Sequence, residues 1–335
     1  MSKFNLLDCT LRDGGYIVNW EFPNGEIKNL TQGLIDANFD YVEVGYLNNR
    51  PYVPNTAIFN NIEQISSFIP KDRKKSLVLA MADVSQFKPE DITPHTGNSI
   101  DGIRVVFYKR QIQEALTFCQ AVIDNGYKLL VQPMVTIDYS MDEYAILAQE
   151  FAKFSPHAMA IVDSFGYMVK KDFRQYFRIL DNCLPAESMI GFHSHNNMQL
   201  AFITAQDILD YQTTRNLIID ASLLGMGRGA GNLNTELIAN YYNMMFGYKY
   251  DISLILQLIS KHIMPIAETK TWGYSPYMFL TGFYHCHPNF ATYLLEKHEI
   301  SVADFEKFIQ TIPQDMVTKC TKPYVEELYQ KFITK

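Results

Sequence analysis

Eight short apolar runs alternate with longer segments of helical period, and this alternation constrains the fold more than any other feature of the sequence. The runs cover residues 5–9, 41–45, 77–82, 102–107, 128–135, 159–163, 189–193 and 218–224. The helical patterns cover residues 26–37, 56–69, 111–125, 142–154, 171–183, 200–213 and 235–245. Such alternation predicts parallel strands joined by right-handed crossovers. About eight units close into a (β/α)₈ TIM barrel, and an open doubly wound sheet is the alternative.

Two parts of the chain depart from this alternation. Residues 88–98 contain two prolines and a glycine, and they read as loop rather than helix. After about residue 250 a helical pattern covers 251–262, then 268–289 is rich in Trp, Tyr, Gly and Pro, and two or three polar helices follow. We therefore predict a catalytic TIM-barrel domain over residues 1–250. The appended C-terminal helical region, 251–335, is expected to act as a lid, a dimerisation surface or a partner-docking surface.

Composition and charge exclude several classes of protein. At 335 residues and 47% hydrophobic content, the chain can bury a large core. The formal net charge of −7 argues against nucleic-acid binding, because that requires a basic surface. The N-terminal segment has no long apolar core, so we expect no signal peptide or membrane anchor, and a cytoplasmic protein. Five scattered cysteines without a CxxC pair fit reduced thiols. Small molecules are the expected partners.

Two histidines stand two residues apart in the segment GFHSHNN, at the end of the seventh run. Alternate residues of a strand face the same side. His193 and His195 can therefore converge on one metal ion inside a closed barrel. A single H-x-H pair is weak evidence, since histidines near a strand end are more often surface or packing residues. A metal site requires a further ligand from another strand.

A third ligand is available after the first run, where Arg12 and Asp13 precede two glycines. In such barrels the reactive groups come from the carboxyl ends of the strands. Asp13 with the two histidines would form a site that suits Mn²⁺ or Mg²⁺, with Fe²⁺, Co²⁺ or Zn²⁺ as further options. Such an ion stabilises an enolate by Lewis acidity, and Arg12 could bind the developing oxyanion or a substrate carboxylate. Taken alone, Arg12 and Asp13 read as a plain ion pair.

Polar residues also end the other predicted strands. They are Glu43, Arg104, Gln132, Asp163 and Ser164. We count Arg104 among the candidate substrate-binding residues. The last strand is followed by the glycine-rich stretch 225–231. This stretch lacks the lysine of a P-loop and matches G-x-G-x-x-G only in part, so by itself it is weak evidence for a phosphate site.

Five segments carry a family resemblance: LLDCTLRDGGY, YVEVGY, VDSFG, GFHSHNN and GMGRGAGNLNTE, in this order over roughly residues 5–240. They resemble the DRE-TIM metallolyases, which share a D-x-T-L-R-D-G motif and include hydroxymethylglutaryl-CoA (HMG-CoA) lyase, isopropylmalate synthase and 4-hydroxy-2-oxovalerate aldolase. The metal ligands that the resemblance implies are Asp13, His193 and His195. It also implies enolate stabilisation by Arg12, a metal-side or substrate-side role for Asn232, and positions near the substrate for Glu43 and Ser164.

The glycine-rich loop indicates which enzymes of this family the chain resembles more. G-M-G-R-G-A-G-N is similar to the aldolase form G-M-G-x-G-A-G-N. The CoA lyase has a longer loop with a cysteine here, whereas this chain has no cysteine between Cys183 and Cys286. The comparison favours a 2-oxo acid aldolase over an HMG-CoA lyase.

One position departs from the aldolase pattern. Those aldolases place a catalytic histidine shortly after the R-D-G motif, whereas this chain has Tyr16. A phenol with an ordinary pKa near ~10 is a poorer base at neutral pH than an imidazole near ~6.5, so either Tyr16 is perturbed or another group serves. Residues 281–289 weakly resemble the aldolase segment with an active-site tyrosine, which maps to Tyr284. His285 and His287 are extra there; each alone is more typical of a structural loop histidine, but one of them could take over proton transfer.

We therefore predict a divalent-metal-dependent (class II) aldolase. A 2-oxo acid such as pyruvate forms an enolate, which makes or breaks a carbon–carbon bond with an aldehyde, and the altered base suggests a polar, sugar-derived aldehyde. One alternative is an acyl-CoA Claisen-type lyase or synthase on the same metal site; another is a non-catalytic scaffold barrel. By analogy a homodimer is expected, and a dehydrogenase partner, as in aldolases that channel their product, is an open alternative.

Overall fold

Parallel strands close into a barrel in the computed structural model, which describes residues 4–211 and 213–334. The strands are β1 (Phe4–Asp8), β2 (Tyr41–Leu47), β3 (Ile58–Phe59), β4 (Leu77–Asp83), β5 (Gly102–Phe107), β6 (Lys128–Pro133), β7 (Ala158–Asp163), β8 (Met189–Ser194) and β9 (Leu217–Ala221). β3 is a two-residue addition beside β2. β1 pairs with β2 on one side and with β9 on the other, which closes a ring of eight strands. The predicted (β/α)₈ barrel is confirmed.

Helices connect the strands and cover the outside of the barrel. In chain order they are α1 (Glu26–Asp36), α2 (Ile62–Ile65), α3 (Ile112–Asp124), α4 (Met141–Ala152), α5 (Lys170–Cys183), α6 (Ala201–Leu209) and α7 (Thr235–Phe246). Between β4 and β5 the chain makes a 3₁₀ turn, Pro89–Asp91, in place of an α-helix. This agrees with the prediction of a loop in that interval.

Two predicted elements have different bounds, and local backbone geometry explains both. The predicted helix 56–69 is β3 followed by the short α2, because the side chain of Asn61 accepts a hydrogen bond from the backbone of Glu63 and starts the helix there. The predicted strand 128–135 ends two residues early, since Val135 adopts a left-handed φ of 51° that no strand accommodates.

The main hydrophobic core lies between the barrel wall and the outer helices. A separate apolar set fills the interior of the barrel. It consists of Leu7, Cys9, Tyr41, Leu79, Leu130, Ala158 and Ile218. Tyr41, Leu130, Ala158 and Ile218 lie at or near the starts of their strands. Because this set closes the amino end of the barrel, polar groups are left for the carboxyl end, where barrels of this kind carry their sites.

The chain after residue 250 adds further helices. They are α8 (Ile252–Leu258), α9 (Met264–Ala267), α10 (Pro276–Phe283), α11 (Asn289–Lys297), α12 (Val302–Gln310) and α13 (Lys322–Ile333). α8 packs on the barrel core, whereas α10 to α13 enclose a third apolar cluster, which includes Ala230 from the loop after β9. The predicted domain boundary at residue 250 stays a prediction, and the change from one core to the other falls beyond α8. Among the described residues, no helix has the length and apolar character needed to cross a membrane.

Candidate active site

Three potential metal ligands meet at the carboxyl end of the barrel. His193 lies in β8 and His195 follows it by two residues, so both rings turn to the same side. Asp13 comes from the turn after β1. One ligand atom from each side chain lies within 4.8 Å of the others, and all three residues are buried. Two imidazoles and a carboxylate at this spacing can bind one divalent ion.

A chain of buried charges orients His193. Its Nδ1 lies 3.0 Å from a carboxylate oxygen of Asp220 in β9, which leaves Nε2 available for a metal. Asp220 also accepts a hydrogen bond from Arg104, and Arg104 donates to Glu43 at 2.9 Å. Burial raises the pKa of Asp220, but the charge of Arg104 and the hydrogen bonds from His193 and Arg104 together outweigh this and keep the pKa below its ordinary value. Asp220 is therefore an anion that fixes the orientation of the His193 ring.

Both carboxylate oxygens of Asp13 accept hydrogen bonds from neighbouring side chains. Oδ1 accepts from Arg12 Nη1 at 2.5 Å, and Oδ2 accepts from Asn232 Nδ2 at 2.8 Å. Arg12 also donates through Nε to Glu43 at 2.8 Å, whereas its buried Nη2 has no partner among the described residues. Burial raises the pKa of Asp13, but the surrounding groups, Arg12 foremost and then His195, His193 and Arg228, together outweigh this and bring the pKa below its ordinary value. Arg12 thus keeps Asp13 ionised and still has one donor to offer.

The buried polar atoms at this site fit a divalent ion. In the described part of the chain, His195 Nδ1 and Asn232 Oδ1 are buried without a hydrogen-bond partner, which is unfavourable unless a ligand satisfies them. Burial lowers the pKa of His195 to about 3, so its ring is neutral, as metal ligation requires. The donor set is therefore two neutral imidazoles and a carboxylate, with the amide oxygen of Asn232 beside them.

The loop after β9 brings Asn232 against Asp13. The predicted strand 218–224 stops short here, because Leu224 adopts a left-handed φ of 53° and turns the chain back. A Cβ on Gly227 would lie 2.4 Å from Asn232 Nδ2 and 2.8 Å from Asp13 Oδ2. No larger residue fits without displacing one of these groups. The glycines of this loop therefore shape the surroundings of the metal ligands.

A small cavity of about 30 Å³ adjoins the ligands at the barrel mouth. Its walls are formed by Arg12, Asp13, Tyr16, Tyr46, Met81, Val106, Gln132, Met134, Val162, Ser164, His193, His195 and Arg228. The hydroxyl of Tyr16 lies 3.2 Å from that of Tyr46. The guanidinium carbon of Arg228 lies 5.5 Å from the centre of the Tyr16 ring, within range of a cation–π contact. Two phenols and a second guanidinium thus share the cavity with the metal ligands.

The sequence matches the model of the HMGL-like family over residues 3–260. This range covers most of the chain and contains every strand and all three potential metal ligands. The chain belongs to the HMGL-like family. The resemblance to metallolyases of the HMG-CoA lyase type is thereby confirmed.

Curated relatives of this HMGL-like chain carry the names of lyases. The 4-hydroxy-2-oxovalerate aldolase of Bacillus cereus is 24% identical over 253 residues, which are 74% of this chain and 72% of the relative. The oxaloacetate decarboxylase of Mycobacterium tuberculosis is 22% identical over 70% of this chain and 68% of the relative. A solved structure, the N-terminal domain of a putative aldolase from Bacteroides vulgatus, matches with a TM-score of 0.73 and 26% identity, over 88% of this chain and 97% of that one. The names agree with the predicted class, a carbon–carbon lyase.

Not every predicted site residue lines the metal cavity of this HMGL-like chain. Glu43 and Arg104 are buried and hydrogen-bonded to each other, outside the cavity wall. Glu43 contacts Arg12, and Arg104 contacts the Asp220 that pairs with His193, so both residues support the orientation of the site. Ser164 does line the cavity, as predicted, and its hydroxyl accepts a hydrogen bond from the backbone of Val135 at 2.9 Å.

Two of the candidates in the C-terminal helical region 251–335, which we call the tail, lie away from the metal cavity. The hydroxyl of Tyr284 donates to Glu306 at 2.8 Å and accepts from Gln310 at 2.7 Å, both in α12. His285 is exposed and stacks on Tyr167 with ring centres 4.2 Å apart. Neither side chain belongs to the cavity wall. The structure therefore does not bring Tyr284 or His285 together with the metal ligands.

His287 is buried and lines a neighbouring cavity. Its Nδ1 accepts a hydrogen bond from the backbone of Asn289 at 3.1 Å, so the neutral ring carries its proton on Nε2. Burial lowers the pKa of His287 well below its ordinary value, and the charge of Arg228 lowers it further. A neutral ring whose lone pair is already engaged is a hydrogen-bond donor and not a proton acceptor.

Sequence reasoning did not single out Tyr46, Arg228 or Asp220. Each left a signal. Asp220 is a lone carboxylate within an apolar strand, where a charge needs a buried partner. Tyr46 follows directly on the V-E-V-G segment, and Arg228 occupies the variable position of G-M-G-x-G.

Proposed function

We propose that this chain is a class II aldolase, which uses a divalent ion to make or break a carbon–carbon bond between the enolate of a pyruvate-like 2-oxo acid and an aldehyde. The observation that carries the proposal is the grouping of Asp13, His193 and His195 in one cavity with an Arg12 that has a free donor. The names of the relatives agree with it, because an aldolase of this kind and an oxaloacetate decarboxylase both work at the carbon next to a 2-oxo group.

Arg12 is the residue that we assign to the enolate. Asp13, His193 and His195 would hold a divalent ion, which would supply Lewis acidity toward the keto group of the substrate. Arg12 Nη2 then donates a charge-assisted hydrogen bond to the oxygen that becomes negative. Its Nε and Nη1 are tied to Glu43 and Asp13, so the guanidinium needs no reorientation as charge develops.

Tyr16 is the residue that we assign to proton transfer at the oxygen of the aldehyde. It lines the metal cavity and its hydroxyl is paired with that of Tyr46, so a proton that leaves one phenol can be replaced from the other. His287 is instead assigned a donor role, because Nδ1 already accepts a backbone hydrogen bond. A phenol is a common acid or base in enzymes when it is positioned against the reacting oxygen.

Mn²⁺ or Mg²⁺ is the proposed metal, since carboxylate and amide oxygens beside the imidazoles favour harder ions over those that prefer thiolates. Pyruvate is the proposed 2-oxo acid because the curated relatives include a 4-hydroxy-2-oxovalerate aldolase and an oxaloacetate decarboxylase, whose reactions both involve a 2-oxo acid. A cytoplasmic location and a homodimer belong to the same proposal, and a dehydrogenase partner stays an alternative to a free-standing enzyme.

The test is proton exchange in deuterated water. The protein with Mn²⁺ and pyruvate should replace the methyl protons of pyruvate with deuterium faster than the metal-free protein, as NMR would record. Replacing His193 and His195 by Ala should abolish both exchange and bound metal. His298, which pairs with Glu326 in the tail, provides the matched control: its replacement by Ala should leave metal content unchanged.

Two outcomes would contradict the proposal. Absence of exchange above background with pyruvate and with other 2-oxo acids would exclude enolate chemistry at this site. Release of free thiol from acetyl-CoA, without any aldehyde cleavage, would favour the Claisen-type alternative. Oxaloacetate serves as a second substrate probe, since its decarboxylation also leaves pyruvate enolate.

A further inference from the structure

A second cavity, of about 310 Å³, adjoins the metal cavity at the barrel mouth, and Met134 lines both. One wall is the loop after β5, with Lys109 and Arg110; the opposite wall is the tail, with His287 and Lys319. We call it the basic cavity. The tail therefore encloses one side of the basic cavity, beside the metal ligands.

Positive charge dominates the basic cavity although the whole chain carries −7. Lys109, Arg110 and Lys319 line it, against a single carboxylate, Asp138. Lys109 is paired with Glu143 at 2.6 Å. Arg110 stacks on Tyr108 at 4.6 Å. Among the described residues neither Arg110 nor Lys319 has an acidic partner, so two cations of the wall are not neutralised.

Arg228 adds a third cation, in the wall of the metal cavity. It lines the metal cavity, and its charge lowers the pKa of His287 in the wall of the basic cavity, after the larger effect of burial. Its Nε is buried without a hydrogen-bond partner, and its side chain forms no ion pair within the described residues. Arg228 as a whole is half-buried, and a guanidinium with an unpartnered buried Nε favours binding of an oxyanion through two parallel hydrogen bonds.

We propose that the acceptor aldehyde carries an oxyanionic group, a phosphate or a carboxylate, and that the basic cavity binds this group. The inference rests on the proposed function, since it names the class of the second substrate. Arg110 and Lys319 hold the anionic end, His287 Nε2 offers a neutral donor, and Arg228 lies toward the reacting end. In the condensing direction the enolate carbon forms one bond to the aldehyde carbon and the carbonyl oxygen takes one proton; the anionic group does not react.

The first test compares aldehydes. With pyruvate and Mn²⁺, kcat/KM is measured by NMR for two neutral aldehydes, propionaldehyde and glyceraldehyde, for the carboxylated succinic semialdehyde and for glyceraldehyde 3-phosphate. The anionic aldehydes should exceed the neutral ones by about 100-fold, about tenfold for each of two charge-assisted contacts. The better of the two anionic aldehydes identifies the group as carboxylate or phosphate. Equal or faster reaction of the neutral aldehydes would overturn the inference.

The second test removes the two exposed cations, which leaves the core intact. The double variant Arg110→Gln/Lys319→Gln should lower the preference for the anionic aldehyde by at least about tenfold. Lys270→Gln is the control, because Lys270 lines a different cavity, and it should leave the preference unchanged. An equal preference in the double variant and the wild type would contradict the assignment of the basic cavity.

Binding is measured apart from turnover. Calorimetric titration of the metal-free protein with inorganic phosphate and with succinate should show weaker binding of at least one anion in the double variant than in the wild type. No binding of either anion to the wild type would overturn the inference even if enolate exchange is observed. Conversely, absence of pyruvate exchange with anion binding intact would remove the proposed function and leave the anion site standing.

Discussion

At the scale of single residues, the site depends on charges that are buried side by side. Glu43, Arg104 and Asp220 are each at most 2% exposed, and Arg104 pairs with both carboxylates. Removing one partner of a buried pair leaves the other charge uncompensated, which is far more unfavourable than the pair itself is favourable. These residues therefore act as one support for Arg12 and His193.

Asp220→Asn should weaken metal binding by about 10- to 100-fold, because the amide no longer fixes the His193 ring as an anion does. Mn²⁺ affinity is measured by calorimetry, with thermal unfolding recorded alongside to separate loss of fold from loss of affinity. Asp207→Asn is the control, since Asp207 pairs with the exposed Arg174. Unchanged affinity in the Asp220 variant would reject the role of Asp220 in orienting a metal ligand.

Tyr16→Phe should lower kcat for aldehyde addition by about 100-fold or more, within the range that a positioned acid or base contributes. The loss should exceed any loss of pyruvate proton exchange, because the phenol is assigned to the oxygen of the aldehyde. Tyr46→Phe keeps Tyr16 and removes only its hydroxyl partner, so a smaller loss is expected. If both variants lose the two activities equally, the phenols only shape the cavity.

At the scale of elements, the loop 225–231 is the part of the barrel whose backbone is most closely tied to the ligands. Gly231 has a φ of 79°, and a Cβ there would lie 2.2 Å from the carbonyl oxygen of Gly225. The same loop carries Asn232, which holds Asp13. A change in the backbone of this loop therefore displaces Asn232 and, through it, the metal ligand Asp13.

Gly231→Ala should destabilise the protein by about 3 kcal/mol or more and weaken metal binding, because both the backbone conformation and the contact with Gly225 become unfavourable. Gly97→Ala is a matched control: Gly97 has the same φ of 79° but nothing within 4 Å of the added Cβ. Gly97→Ala should lower the free energy of unfolding by about 1 kcal/mol, which is the effect of the left-handed backbone conformation alone. Equal losses in urea unfolding of the two variants would show that the loop relaxes around the added methyl.

At the scale of the whole molecule, two apolar cores are joined across the barrel mouth. The barrel core includes α8, whereas the tail core encloses Phe290, Phe305 and Phe308. A buried hydrogen bond of 2.9 Å links Asn197, after β8, with Thr281 in α10. The tail thus covers the barrel end that carries the site and contributes walls to the basic cavity beside it.

Phe308→Ala should destabilise the tail core by about 3–5 kcal/mol, the usual effect of removing a buried aromatic ring. If the tail is a separate unit, calorimetry should show an early transition of the tail while Mn²⁺ still binds to the barrel. Phe151→Ala, in the barrel core, should instead lower the main transition. A single transition shared by both variants would show that barrel and tail unfold together.

Acid stability depends on His157, whose Nε2 lies 2.9 Å from the hydroxyl of Tyr41 across the amino end of the barrel. Burial lowers the pKa of His157 to about 4, and the charge of Lys128 adds to this. Between pH 6.5 and 4 the unfolded chain therefore binds more protons, so this contribution to stability is complete above pH 6.5 and is lost as pH falls toward 4.

His157→Gln should therefore flatten the pH dependence of the unfolding free energy between pH 6.5 and 4, by on the order of 1–2 kcal/mol after allowance for partial exposure of the ring. Urea unfolding at several pH values, with chelator present, measures this. His95→Gln, at an exposed ring, is the control. Identical pH slopes in the wild type and the His157 variant would contradict the assignment.

The sequence by itself determined the barrel, the end of the strand–helix alternation before the tail, and the order of the motifs at the strand ends. These are local properties. The period of apolar residues identifies each element, and an alternation of parallel strands with helices is compatible with few folds. Arg12, Asp13, His193 and His195 could be found in this way because each lies at a strand end within a recognisable segment.

Only the tertiary structure decided which polar residues share a cavity and which merely support it. Arg104 and Asp220 are 116 residues apart and meet inside the barrel, so Arg104, predicted to bind substrate, lies paired with buried carboxylates outside the wall of the metal cavity. His287 turned out to be a donor because a backbone hydrogen bond occupies its Nδ1, and Arg228 has no acidic partner in the part of the chain that the structure describes. Burial and pairing depend on side chains that the fold brings together from distant parts of the chain, and local periodicity carries no information about them.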